Sequence, residues 1–469
     1  MPGPAQPHIE PEEERGARAP KSTGGVAALK AQRTPPADLN EREAMRAYYL
    51  TVRRDSEALA APLAPEDMVV QTMPDVSPTK WHLAHTSWFF ETFLLKPHAK
   101  NYRPLNETYD LLFNSYYQQV GPQWLRPHRG FLSRPTVAEV MDYRAYVDGA
   151  MLELMEEAGA ALWQKLAVLI TLGLNHEQQH QELICTDIKH VLAQNPLSPA
   201  LYTPPGESAS APALSWSEFG GGIYEIGRDM DPAGFSFDNE GPRHEILLRP
   251  FRLASRPVTN GEFRAFIEEG GYERAPLWLS DGWNAVSEGG WQAPAYWRRA
   301  DDGSWREFTL HGEVPLDENA PVTHISLYEA AAYAEWAGAR LPLEAELEVA
   351  ARGLPLEGNF LMPQRDGGAA PIIHPQAVNM SAASAAGDGP QQLFGDVWEW
   401  TASSYSAYPG YRAPSGAIGE YNGKFMCNQM VLRGGSCATP HGHMRATYRN
   451  FFPAAARWQF SGLRLASDL

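Results

Sequence analysis

Apolar residues recur at helical spacing through roughly the first two hundred positions, and that period fades beyond them. Residues 41–57 place Met45, Tyr48, Tyr49 and Val52 one turn apart, the stripe of an amphipathic helix. A second helix is expected after Pro78, over Trp81-His82-Leu83-Ala84-His85-Thr86-Ser87-Trp88-Phe89-Phe90-Glu91-Thr92-Phe93-Leu94. Proline suits a helix start, and Ser77 or Thr79 could cap it. Thr136-Val137-Ala138-Glu139 reads as a capping box, with Val140, Tyr143, Val147 and Met151 following on one face. Residues 157–192 make the fourth helix, buried through Leu169, Leu172, Leu183 and Ile184. Four long helices pack most economically as a bundle, and bundle interiors commonly hold metal sites.

Residues 97–135 break the period and are rich in aromatics, including Phe113-Asn114-Ser115-Tyr116-Tyr117 and Trp124-Leu125-Arg126-Pro127. A connection that long inside a compact domain is usually functional or disordered, and this one is too aromatic for disorder. It is expected to wall an active site. Residues 196–214 are rich in Pro, Ser and Ala and read as a linker. After them come short strands, many Gly and Trp, and two evident helices, 260–270 and 326–338. The pattern divides the chain into a disordered leader (1–39), a helical domain (40–195), the linker, and a loop-rich α+β domain (215–469).

Composition narrows the function. The net charge of −17 argues against a nucleic-acid partner, since phosphate recognition needs concentrated Lys and Arg. Three cysteines, Cys185, Cys427 and Cys437, form no disulfide framework, and a cytoplasmic location fits. No apolar run approaches a membrane span, and the leader lacks a signal peptide's apolar core. No membrane partner is expected.

The fourth helix carries Asn175-His176-Glu177-Gln178-Gln179-His180. His176 and His180 stand one turn apart on one face, so two imidazoles can grip one divalent metal while a third ligand comes from elsewhere. His82 and His85 are both candidates for that third position, and spacing does not choose between them. The same motif fits a zinc peptidase with Glu177 as general base. The longer peptidase pattern wants Gly and then His further on, where this chain has Leu183 and Thr186.

Five ordered motifs resemble the formylglycine-generating, or sulfatase-modifying, domain. They are Pro321-Val322-Thr323-His324-Ile325-Ser326, Arg340-Leu341-Pro342-Leu343-Glu344-Ala345-Glu346, Gly395-Asp396-Val397-Trp398-Glu399-Trp400, Leu432-Arg433-Gly434-Gly435-Ser436 and Gly462-Leu463-Arg464. By ungapped count, Thr439 and Met444 stand where formylglycine generators keep a cysteine pair, which argues against formylglycine formation. Together with the Leu-Ala-His and His-Glu-Gln-Gln-His motifs, the chain resembles the ergothioneine-biosynthesis sulfoxide synthases. The resemblance implies a multidomain protein, a DinB-like four-helix bundle followed by a loop-rich α+β, C-type-lectin-like domain. It selects His85 over His82, so that His85, His176 and His180 would bind a non-haem Fe(II).

The implied reaction joins a cysteine-type thiol to C2 of the hercynine imidazole, using O₂, and leaves the sulfur as a sulfoxide. Confining both substrates at one ion makes the encounter intramolecular. Tyr116 and Tyr117 are the candidate proton donors. Relatives that use γ-glutamylcysteine resemble one another in an acidic and an arginine residue four apart. Here Phe452 and Ala456 stand in those places, so cysteine is the expected thiol, with Arg126 clamping its carboxylate. Gln179, Asn450 and Phe451 are expected around hercynine, where Phe451, Trp398 or Trp400 could face the trimethylammonium group. A non-catalytic ligand-binding module is the remaining alternative.

Overall fold

A computed structural model describes residues 32–204, 206, 209–229, 234–363, 370–378 and 389–469. Most of the expected leader, residues 1–31, lies outside the described residues. Residues 32 and 33 lie against the first helix: the Gln32 N–H donates to Thr51 Oγ1 and Arg33 pairs with Asp55 at 3.0 Å.

Four long helices, α1 (Arg42–Ala60), α2 (Thr79–Phe90), α3 (Val137–Glu157) and α4 (Ala160–Ala193), form the bundle. The Thr136–Glu139 capping box forms as expected and starts α3. The cap expected for α2 does not form. Ser77 instead accepts a hydrogen bond from Arg129 and donates its N–H to Asp187. Every residue of α2 is buried, because helices and loops cover it on all sides. On α4 the deep stripe runs Leu166, Ile170 and Leu174 and then turns polar through 175–182, while Leu169, Leu172 and Leu183 are only half-buried. A Cβ at Gly173 would stand 2.7 Å from the Phe90 ring, so glycine is what lets α4 approach α2 this closely. That approach sets the distance between the histidines of the two helices. Between α2 and α3, residues 97–135 contain only short turns, Tyr109–Phe113 and Arg126–Phe131 among them.

The second domain is built from small sheets joined by long loops. Strands β1 (Trp216–Phe219), β2 (Gly222–Ile226), β3 (His244–Leu248) and β4 (Phe251–Ala254) lead into α5 (Asn260–Glu268) and α6 (Ser280–Gly289). Then come β5 (Trp297–Arg299), β6 (Trp305–Thr309), β7 (Gly312–Pro315), α7 (Leu327–Trp336), α8 (Glu344–Ala350) and β8 (Trp398–Ser404). The chain ends with β9 (Met430–Arg433), β10 (Asn450–Phe452), β11 (Ser461–Gly462) and β12 (Ala466–Asp468). Helices α6 and α8 are additions to the two expected from sequence. The central sheet runs β10-β9-β8-β11, which puts Asn450, Phe451 and Phe452 on an edge strand.

Helix α4 joins the two domains. The Glu182 carboxylate accepts hydrogen bonds from Trp398 Nε1 at 2.6 Å, Ser436 Oγ at 2.7 Å and Thr439 Oγ1 at 2.8 Å. Thr439, which stands where formylglycine generators are expected to carry a cysteine, thus serves the domain interface. No helix among the described residues is long and apolar enough to cross a membrane.

Candidate functional site

His85, on α2, and His176 and His180, on α4, each offer one nitrogen, and these atoms lie within 4.8 Å of one another. All three rings are buried. His85 is held between Trp81 and Trp88, with ring centroids 4.7 and 5.5 Å away. Its Nδ1–H donates to Phe113 O at 2.6 Å, which leaves the Nε2 lone pair facing His176 Nε2 at 3.3 Å. His180 Nδ1 is engaged by His82 Nδ1 at 2.8 Å, so Nε2 is its remaining nitrogen too. His82 therefore lies behind a member of the triad, and His85 within it.

Burial holds all three imidazoles well below the usual histidine range, His176 at about 3. They are neutral at ordinary pH, with lone pairs converging. Three neutral nitrogens converging on one point fit a divalent cation and leave coordination positions for other partners.

Glu177 faces away from this point. Its carboxylate accepts from Arg53 Nη1 at 2.9 Å, Ser56 Oγ at 2.7 Å and Arg144 Nη2. Burial raises its pKa, but the two guanidinium groups outweigh that and hold it below the usual carboxylate range. A carboxylate so fastened cannot serve as the general base of a peptidase.

A cavity of about 380 Å³ opens beside the triad, between the two domains. His176 and His180 line it, together with Tyr116, Arg126, Gln179, Asn450, Phe451 and Phe452 from the sequence candidates. Tyr117 is not at the surface of the cavity. Its ring is fully buried behind Tyr116, stacked on it at 4.6 Å and packed against Phe93 and Trp88. Ala456 is buried with Val76 and Trp458, away from the lining, whereas Phe452 reaches it. Trp398 and Trp400 are core residues whose indole N–H groups donate to Glu182 and to Ile325 O. Phe451 is the aromatic of that group that lines the cavity, stacked on Tyr405 at 4.0 Å.

Two residues stand out that sequence reasoning passed over. Arg126 is exposed at the rim and donates to Asp75 O. Arg129, three residues on, is buried with its guanidinium 3.4 Å from the centre of the Trp81 ring. It donates to Ser77 Oγ and Ser115 Oγ, and among the described residues no carboxylate forms an ion pair with it. Burial and the neighbouring Arg126 both disfavour its charge. A buried cation satisfied only by hydroxyls is a ready anion site. The second residue is Tyr421, whose ring centroid is 5.5 Å from that of His176. Its hydroxyl donates to Gln179 Oε1, while Gln179 Nε2 donates to Tyr448 OH at 2.6 Å. Arg129 could have been suspected from its place in the aromatic segment, but Tyr421 sits in an aperiodic loop that gave no signal.

The chain is similar to known proteins over both halves. The sulfatase-modifying factor enzyme 1-like domain family matches residues 218–469, and the DinB superfamily matches residues 48–184. Hercynine oxygenase of Mycolicibacterium smegmatis is 32% identical over 424 residues, covering 85% of this chain and 93% of that one. Hercynine oxygenase of Mycolicibacterium thermoresistibile is 32% identical over 416 residues, covering 84% and 88%. The formylglycine-generating enzyme of Thermomonospora curvata is 33% identical over 230 residues, covering 40% of this chain and 70% of its own.

Proposed function

This chain belongs to the hercynine oxygenase family of oxygenases, and from that premise we propose that it is a non-haem Fe(II) sulfoxide synthase of ergothioneine biosynthesis, taking cysteine as its thiol. The overall change balances as thiol plus hercynine plus O₂ giving hercynylcysteine S-oxide plus one water. The S–H and the imidazole C2–H bonds break, a C–S bond and an S–O bond form, and O₂ takes up four electrons. The observation that carries this reading is the buried triad of neutral His85, His176 and His180 opening onto a cavity between the domains. When bound there, ferrous iron would supply activation of O₂ and a common attachment point for thiolate and imidazole.

The chain's own residues do the rest. Arg129, with Arg126 at the rim, is placed to take the carboxylate of free cysteine, and its buried charge gains the anion it lacks. Gln179, Asn450 and Phe451, which also line the cavity, would take hercynine, and the Phe451 face suits a trimethylammonium group. Phe452 gives that end of the cavity no charge to pair with a glutamyl group, and leaving such a group unpaired is costly. Tyr116 and Tyr421 line the cavity and carry hydroxyls that burial keeps protonated, so either can hold a proton for the reacting centre. Tyr117 supports the Tyr116 ring from behind.

The test is anaerobic loading with Fe(II), addition of hercynine and cysteine, exposure to O₂, and mass analysis. The sulfoxide adduct of the two substrates supports the proposal. Formation of cysteine sulfinic acid alone, or no oxygen consumption, contradicts it.

A further inference from the structure

His82 is buried beside the triad and has both ring nitrogens engaged, one by a carboxylate and one by a proposed ligand. We infer that Asp187 and His82 form a relay that holds His180 in the tautomer with a free Nε2, making both of them positioning residues of the metal centre. The inference rests on the reading of His85, His176 and His180 as the metal ligands.

The relay follows from what each group can accept and donate. Asp187 Oδ2 stands 2.8 Å from Ser77 N and 3.0 Å from His82 Nε2. Its Oδ1 accepts from Thr186 Oγ1 at 3.2 Å. An ionised carboxylate only accepts, so His82 must carry its proton on Nε2. In a ring with one proton, Nδ1 then keeps a bare lone pair. That lone pair faces His180 Nδ1 at 2.8 Å, a distance at which one of the two nitrogens must hold the proton. His180 Nδ1 therefore donates, and its Nε2 is left bare for a metal. The other His82 tautomer would point a lone pair at Asp187 and drive the His180 proton onto Nε2, where it would block coordination.

The three ligands are not secured equally. His85 reaches the same tautomer through a single bond to Phe113 O. His180 reaches it through a two-step chain that ends on its own helix, since Asp187 lies seven residues after it and so returns to the same face. His176 Nδ1 has no partner among the described residues. His82 lies three residues before His85 on α2, so one turn of that helix supplies both a ligand and the support of another ligand. Groups behind a ligating histidine commonly change metal affinity by about 10–100-fold when removed.

The experiment compares Fe(II) dissociation constants by anaerobic equilibrium dialysis of the chelator-stripped full chain. His82→Leu removes the acceptor facing His180 Nδ1, and His82→Asn keeps a carbonyl oxygen near the same place. The expected result is Fe(II) binding weakened about 10–100-fold in His82→Leu and largely restored in His82→Asn. Equal affinity in His82→Leu and the unmodified protein overturns the relay, and so does equal weakening in both variants, which would mark a packing role. Nitrogen-15 NMR of the unmodified metal-free protein reads the tautomer without any substitution. A His180 proton on Nδ1 is expected, and a proton on Nε2 overturns the relay. Loss of binding in His176→Ala checks the ligand reading separately. If the unmodified protein binds no Fe(II), that reading fails first, and the relay falls with it.

Discussion

His85 Nε2 and His176 Nε2 face each other across 3.3 Å, one from α2 and one from α4, with Gly173 permitting the close helix contact one turn away. Replacing His85, His176 or His180 with Ala should abolish Fe(II) binding while far-UV circular dichroism and the unfolding midpoint stay near those of the parent. Two imidazoles hold the ion too weakly, whereas the apolar side chains of the bundle core all remain. Retained stoichiometric binding in any one variant would remove that residue from the ligand set.

Removing a hydroxyl at the cavity wall should redirect oxidation more than it slows it. Tyr116→Phe or Tyr421→Phe should shift product from the sulfoxide toward cysteine sulfinic acid, measured as the ratio of the two by mass spectrometry. Tyr117→Phe should leave that ratio unchanged, because its ring lies behind Tyr116. A shift in Tyr117→Phe alone would reverse the assignment.

Arg129 and Arg126 should separate in thiol binding. Arg129→Leu should raise the cysteine KM by roughly 10–150-fold, which corresponds to about 1.5–3 kcal/mol for a lost charge-assisted hydrogen bond. Arg126→Leu should cost less, since its side chain is exposed and already donates to Asp75 O. Steady-state kinetics at saturating hercynine decide the order of the two.

Thiol choice follows from Phe452. Cysteine should show the higher kcat/KM, and γ-glutamylcysteine the lower, in the unmodified protein. A reversed preference would mean that another part of the cavity binds the glutamyl group.

Lys189 provides a pH signature of the domain interface. Its ammonium group is fully buried and hydrogen-bonded to His324 Nε2 at 2.7 Å, and burial pushes its pKa down to about 8. The unfolded chain thus binds more protons than the folded one between about pH 8 and 10.5, and the lysine's destabilising contribution is relieved as pH rises through that window. Chemical denaturation of the parent and Lys189→Met across pH 7.5–10 should show the variant gaining less stability over that range. Parallel curves would mean that Lys189 holds its proton to its ordinary pKa.

The sequence by itself determined much of this protein. Helical periodicity and the Thr136 capping box located the long helices of the bundle, because those signals arise within a few residues of one another. His176 and His180 were legible for the same reason, being one turn apart on a single helix. The ordered motifs of the second half marked its family. The tertiary structure alone decided what lies across from what. Spacing left His82 and His85 open and the family resemblance chose His85, and the geometry agrees by setting His85 Nε2 against His176 Nε2 and His82 behind His180. It turned Glu177 away from the metal point by pairing it with Arg53 and Arg144, 124 and 33 residues distant along the chain. It also brought Tyr421 to His176, and it buried Arg129 at the cavity while leaving Arg126 exposed. These relationships depend on contacts between residues far apart in the chain, and local pattern carries no record of such contacts.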